Sequence, residues 1–157
     1  MSGHFTEVIN FDGNDFADLS RSILQKGLPL RFKAFGSSMH PFVKHGDIVV
    51  IEPLKSEGCR VGDIVLFQDR SGRMRLHRVI RKKKDESFIV KGDALEFTDG
   101  TVREENIYGK MLSVERNGVT VEYNSLKMRA NGLALALLSP LSFVIYPVVK
   151  KIKKIFL

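Results

Sequence analysis

A tight turn built on Gly-Asp recurs along this chain, and each of its first two occurrences runs straight into an unbroken apolar segment. His45-Gly46-Asp47 leads into Ile48-Val49-Val50, and 16 residues later Val61-Gly62-Asp63 leads into Ile64-Val65-Leu66. Runs this short, rich in β-branched residues and opened by turn residues, read as buried strands. One such pair is too short to define a repeat architecture. Further strands are expected at 30–35, 63–67, 74–80, 87–90, 107–114 and 119–123, separated by turns at Gly58, Ser71-Gly72, Gly92, Gly100 and Asn117-Gly118. The last is a dipeptide favoured in two-residue hairpins. A short helix is expected at 16–25, capped by Asn14 or Asp15, with Phe16, Leu19, Ile23 and Leu24 on one face and Gly27 as its stop. The apolar stretch from 133 is open to a helix packed on the body or on a partner, as an alternative to membrane contact. The fold class is therefore mainly β with an N-terminal helix.

The 157 residues suffice for one domain with a real core. Charge is distributed unevenly. Of the net +7, six positive charges come from Lys127, Arg129, Lys150, Lys151, Lys153 and Lys154, and no acid follows Glu122. Residues 133–149 carry no charge at all, and Lys150-Lys151-Ile152-Lys153-Lys154-Ile155-Phe156-Leu157 then alternates basic pairs with apolar residues. That pattern suits an anionic lipid surface better than nucleic acid, whose binders spread basic groups over a folded face. Lipid contact through Leu133 to Leu157 is expected, and no nucleic-acid partner. Pro140 and Pro147 argue against a simple spanning helix. The first 28 residues carry Glu7, Asp12, Asp15 and Asp18 where a secretory signal would be basic and then apolar. The location expected is at a membrane, on a side left open, and otherwise cytoplasmic. One cysteine, Cys59, excludes an internal disulfide and reads as an incidental turn residue. The basic run Arg78, Arg81, Lys82, Lys83 and Lys84 reads as the solvated tip of a hairpin.

Chemistry points to Gly36-Ser37-Ser38-Met39-His40-Pro41, where a hydroxyl sits between a flexible glycine and a rigid proline after an apolar strand. A serine attacks only when a neighbouring base takes its proton and that base is itself oriented. Of the four histidines, His40 and His45 lie close to the serine in turns, whereas His77 lies within Met74-Arg75-Leu76-His77-Arg78-Val79-Ile80, where a strand can aim an imidazole. Carboxylates follow at Asp93 and Asp99, and either could fix the His77 tautomer. His40 and His45 lack further ligands at a zinc spacing, so no metal or cofactor is expected.

The ordered series Gly36-x-Ser38-Met39-x-Pro41, Gly46-Asp47, Leu76-His77-Arg78-Val79-Ile80, Lys91-Gly92-Asp93 and Ile107-Tyr108-Gly109-Lys110-Met111 resembles the boxes of the type I signal peptidase family. The form with histidine as base is its endoplasmic-reticulum and archaeal type, and LexA-like self-cleaving peptidases are more distant relatives. The resemblance covers about residues 30–115 and implies a coiled antiparallel β-sheet domain. It implies Ser38 as nucleophile, His77 as general base, Asp93 as the first choice of orienting acid with Asp99 as the alternative, and an oxyanion hole at the backbone of Ser38 and Met39. It further implies cleavage of a peptide or preprotein after small residues held in an extended strand, beside 48–51 or 30–35. Gly36 stands where signal peptidases carry a serine, Ala94-Leu95-Glu96 replaces an asparagine-rich continuation, and the family's amino-terminal anchor is not expected in residues 1–28. About 35 residues precede Ser38, too few for the DNA-binding head of a LexA-like protein. The expected division is an arm and helix at 1–28, a catalytic β domain at 29–126 and an apolar, basic tail at 127–157. Two other functions fit the same residues: a cytoplasmic maturation peptidase of the same fold, and a catalytically silent module that grips extended peptides.

Overall fold

The structure, a computed structural model, describes residues 13–123 and 125–139. The arm expected at 1–10 and the apolar run beyond residue 139 lie outside them. Within them the chain runs α1 (Gly13–Gln25), β1 (Leu30–Lys33), β2 (Ile48–Pro53), β3 (Ile64–Gln68), β4 (Met74–Lys82), β5 (Phe88–Lys91), β6 (Gly100–Val102), a 3-10 turn (Glu104–Asn106), β7 (Ile107–Arg116), β8 (Val119–Glu122) and α2 (Leu126–Leu138). The eight strands form one antiparallel sheet in the order β1-β2-β7-β3-β4-β5-β6, with β8 added to the far half of β7. The mainly β class therefore holds.

The unbroken apolar run of β3 has a direct cause. Ile64 and Leu66 point into one cluster with Leu30, Val49, Ile51 and Met111, while Val65 and Phe67 point into another with Val79, Phe88, Val90 and Ile107. A strand covered on both faces has no use for alternation. Register shifts at Val50/Ile51, Leu66/Phe67 and Val79/Arg81 break the ladders locally, and such bulges bend and twist a strand.

The first two Gly-Asp turns are one device used twice. Gly46 and Gly62 take φ of +90° and +99°, and the aspartate after each accepts the backbone N–H three residues back, Lys44 to Asp47 at 2.7 Å and Arg60 to Asp63 at 2.8 Å. Asp47 is also gripped by Arg116 through both carboxylate oxygens at 2.8 and 2.6 Å, and Arg116 donates to the Phe42 carbonyl. The Arg116 side-chain hydrogen bond to Asp47 holds its carboxyl below the usual carboxylate range. The result staples the 34–47 loop to the end of β7.

Three expectations shift. On α1, Ala17 and Ser20 are buried while Leu19 is 37% exposed, so the packed face is Phe16, Ala17, Ser20, Ile23 and Leu24. The helix also starts earlier, at Gly13, with Asn14 and Asp15 inside its first turn. Asp99-Gly100, expected as a turn, opens β6 instead, a three-residue edge strand too short to show a pattern. The second helix begins well before the charge-free run, capped by Ser125, whose Oγ accepts the Met128 N–H at 3.3 Å. The helix lies against β4, with Gly132 and Ala136 buried in the contact. At Gly132 the close approach of the Gly62 turn requires a residue without a side chain. Of the basic run, Arg81, Lys82, Lys83 and Lys84 do sit exposed at the β4–β5 turn, where Lys82 pairs with Glu86. Arg78 is instead buried, because its guanidinium finds a carboxylate and a carbonyl inside the fold.

Candidate active site

Ser38 lies in the loop between β1 and β2, half-buried, with Met39 and Val43 inserted in the core behind it. The Met39 carbonyl accepts from both the Phe42 and Val43 amides at 3.0 Å, winding the chain into a compact turn. The other side of the loop is fixed from across the fold. The Ala94 N–H donates to the Ser38 carbonyl at 2.8 Å, and a Cβ added to Gly92 would come within 2.7 Å of that same oxygen. A side chain at position 92 would push the serine loop off its support.

His77 stands on β4 opposite Val65, its side chain 2% exposed and its ring 6.1 Å from that of Phe67. Its Nε2 is 3.0 Å from Ser38 Oγ, and its Nδ1 is 2.6 Å from Asp99 Oδ2. An ionised Asp99 can only accept, so opposite it the proton sits on Nδ1 and leaves Nε2 as an acceptor for the serine hydroxyl. Asp99 is itself set by its backbone N–H, which donates to Val90 O at 3.0 Å as the chain enters β6. Three residues from three separate segments thus form one hydrogen-bonded line, hydroxyl to imidazole to carboxylate.

Asp93, the first choice for the orienting acid, lies elsewhere. Its two oxygens take Nε and Nη2 of Arg78 at 2.8 and 2.7 Å, and the Arg78 side chain is 1% exposed. The reason lies in charge. A buried guanidinium needs a full carboxylate partner with matching planar geometry, and Asp93 supplies it. Asp99 is therefore the acid that touches His77. Next to Asp93, burial lowers the Lys91 amine, with the charge of Asp93 opposing.

His40 is exposed, and His45 accepts weakly from the Gly36 N–H at 3.4 Å and rests against Phe35. Neither meets Ser38 in the hydrogen bonds of the loop. Cys59 is buried, and burial first, then the charges of Asp63 and Glu104, push its thiol up to about 12. Such a thiol is a poor nucleophile at neutral pH. Among the described residues no group of three His, Cys, Asp or Glu side chains could hold a metal ion.

Of the two strands expected to flank an extended peptide, β2 is paired on both sides, by β1 and β7. Strand β1 ends the sheet order, and β5 pairs with β4 only from Arg78 onward, so Met74 to His77 pair on the β3 side alone among the described strands. Phe32 of β1 and Met74 and Leu76 of β4 pack against one core cluster. Open backbone edges therefore lead toward the serine from β1 and toward the histidine from β4. The residue that sequence reasoning missed here is Ala94, whose role rests on a backbone amide and leaves no side-chain signal.

Comparison with family models, with curated proteins and with solved structures finds no match for this chain.

Proposed function

We propose that this chain is a serine endopeptidase of the signal-peptidase type, with Ser38 as nucleophile, His77 as general base and Asp99 as the acid that orients and stabilises the imidazolium. The observation that carries this reading is the unbroken line from Ser38 Oγ to His77 Nε2 at 3.0 Å and from His77 Nδ1 to Asp99 at 2.6 Å. Ser38 Oγ attacks the scissile carbonyl as its proton passes to His77 Nε2. The Ser38 and Met39 amides hold the oxyanion. The tetrahedral intermediate collapses, His77 returns the proton to the leaving amine, and an ester joins Ser38 to the new carboxy terminus. Water activated by the same imidazole then releases the acid. The substrate lies extended along the open edge of β1, held by main-chain hydrogen bonds, with a small residue before the cut as the resemblance implies. The signal-peptidase form of the fold belongs to the same proposal, supported by the order of the five sequence boxes.

The setting we infer is a lipid surface. Leu133, Leu137 and Leu138 stand 45%, 68% and 53% exposed on α2, while Gly132 and Ala136 face the body. The charge-free sequence continues through 149 into Lys150, Lys151, Lys153 and Lys154. No helix among the described residues is long and apolar enough to cross a membrane. Binding to vesicles rich in anionic lipid, weakened by salt and by Leu137→Glu, is expected; equal binding by that variant removes α2 from the contact.

The test of the activity is to incubate wild type and Ser38→Ala with a mixed peptide library and map new termini by mass spectrometry. Cleavage after small residues by wild type alone is expected. Peptide binding by both without cleavage favours a silent binding module on the same site.

A further inference from the structure

The second helix comes unusually close to the candidate site at the Arg78 side chain. A Cβ at Gly132 would lie 2.7 Å from the Gly62 carbonyl oxygen and 3.1 Å from Arg78 Nη1, and one at Gly62 would lie 2.8 Å from the Leu133 nitrogen. Two glycines thus face each other so that helix and turn backbones can meet over the Arg78 guanidinium. That guanidinium gives Nη1 to Gly62 O at 2.8 Å and its other two nitrogens to Asp93, and it lies 5.4 Å from the Phe42 ring centroid. Phe42 belongs to the Ser38 loop. Asp93 belongs to the segment Gly92-Asp93-Ala94 that supports Ser38, through the Ala94 N–H on the Ser38 carbonyl and the close approach of Gly92.

We infer that α2 acts as a clamp on the candidate site: seated through Gly132, it holds Arg78 in place, and Arg78, through Asp93 and Ala94, sets the position of Ser38 relative to His77. Arg78 and Asp93 are then positioning residues. Arg78 follows His77 directly on β4, so a displacement of its side chain acts on the same segment that carries the imidazole. The line from Gly132 to Ser38 passes through Gly62, Arg78, Asp93 and Ala94, and its steps are a van der Waals stop, hydrogen bonds, an ion pair and, from Asp93 to Ala94, the chain itself. The carbonyl that Ala94 holds belongs to the nucleophile itself. The value of this device for catalysis rests on the peptidase reading, but the mechanical link does not.

The test uses the full chain with Gly132→Val, the milder Gly132→Ala, Arg78→Lys and, as a control on the exposed side of α2, Asn131→Ala. Two measurements are made on each. Amide hydrogen exchange reads the Ala94 N–H, and a fluorophosphonate probe reads the reactivity of Ser38 as a maximal labelling rate and a half-saturating concentration. Gly132→Val is expected to speed Ala94 exchange at least tenfold and lower the maximal labelling rate at least tenfold, with the half-saturating concentration held. Exchange at the Ala34 and Gly46 amides, in the part of the loop stapled through Asp47, stays as in wild type, which separates a released clamp from global unfolding. Gly132→Ala moves both readings in the same direction by less and serves if the valine variant does not fold. Arg78→Lys keeps the charge but loses the fork, and it moves both readings in the same direction as Gly132→Val. Asn131→Ala changes nothing. Unchanged exchange at Ala94 in both Gly132 variants, or faster exchange throughout the sheet with no excess at Ala94, overturns the clamp. Wild type that never reacts with the probe refutes the peptidase reading, and the exchange measurement then still decides the clamp.

Discussion

His77 and Arg78 are consecutive on β4, both are buried, and each holds an aspartate from the segment after β5, yet the two pairs have different consequences. His77 meets Asp99 through one short contact and presents its other nitrogen to Ser38. Arg78 meets Asp93 through two parallel bonds and turns its third nitrogen to Gly62 O. The first pair leaves a proton acceptor aimed at a hydroxyl. The second uses its donors on partners within the fold and holds segments together. The comparison teaches that, of two neighbouring carboxylates, the one without a fixed cation is available to tune a base.

This contrast can be broken experimentally. The largest expected effect comes from the reacting atoms themselves. Ser38→Ala or His77→Ala lowers kcat by about 10^4- to 10^6-fold with the fold intact, measured on a peptide found in the library screen. A small loss in both would leave the line Ser38–His77 without catalytic meaning. Activity also falls as acid protonates His77, because an imidazolium cannot take the serine proton.

The two aspartates should then separate. Asp99→Asn lowers kcat by about 10^3- to 10^4-fold and changes the melting temperature little, since the amide favours the wrong tautomer without leaving a charge unpaired. Asp93→Asn strands a buried guanidinium and lowers unfolding free energy by about 3–5 kcal/mol. Denaturant unfolding and turnover measured side by side decide it, and equal profiles for the two variants would erase the distinction.

How much of this was legible in the sequence follows from the range of the interactions involved. The strands announced themselves through local composition, and the Asn117-Gly118 hairpin formed with both residues at positive φ as its dipeptide requires. Ser38 and His77 stood out because each sits in a distinctive local frame. The choice between Asp93 and Asp99 was not legible, because it depends on which of two adjacent strand residues faces which carboxylate across the sheet. The docking of α2 was equally hidden: Gly132 reads as a helix breaker in isolation, and only the approach of Gly62 makes its missing side chain necessary. Ser20, buried at 0% exposure with no partner for its hydroxyl among the described residues, has no counterpart in the sequence pattern.

A smaller effect sharpens the comparison away from the site. Burial raises the Asp69 carboxyl, but hydrogen bonds from Ser71, Arg75 and the Arg73 amide outweigh it and leave it at about 2. A depressed carboxyl contributes stability above its unfolded value of about 3.9, and that contribution is lost as pH falls toward 2. Asp69→Asn should therefore cost about 2 kcal/mol near neutral pH, and its stability should vary less than that of wild type between about pH 4 and 2. Urea unfolding across that range is the check. Smallest of all, the Cys59 thiol should resist alkylation at neutral pH in the folded protein and react promptly once unfolded.

The most direct test of the central claim is the site and pH dependence of labelling by a fluorophosphonate. The account predicts one adduct per chain, on Ser38, at a rate that falls in acid and is lost in His77→Ala. Labelling at another residue, or labelling of Ser38 that ignores both pH and the loss of His77, would contradict it.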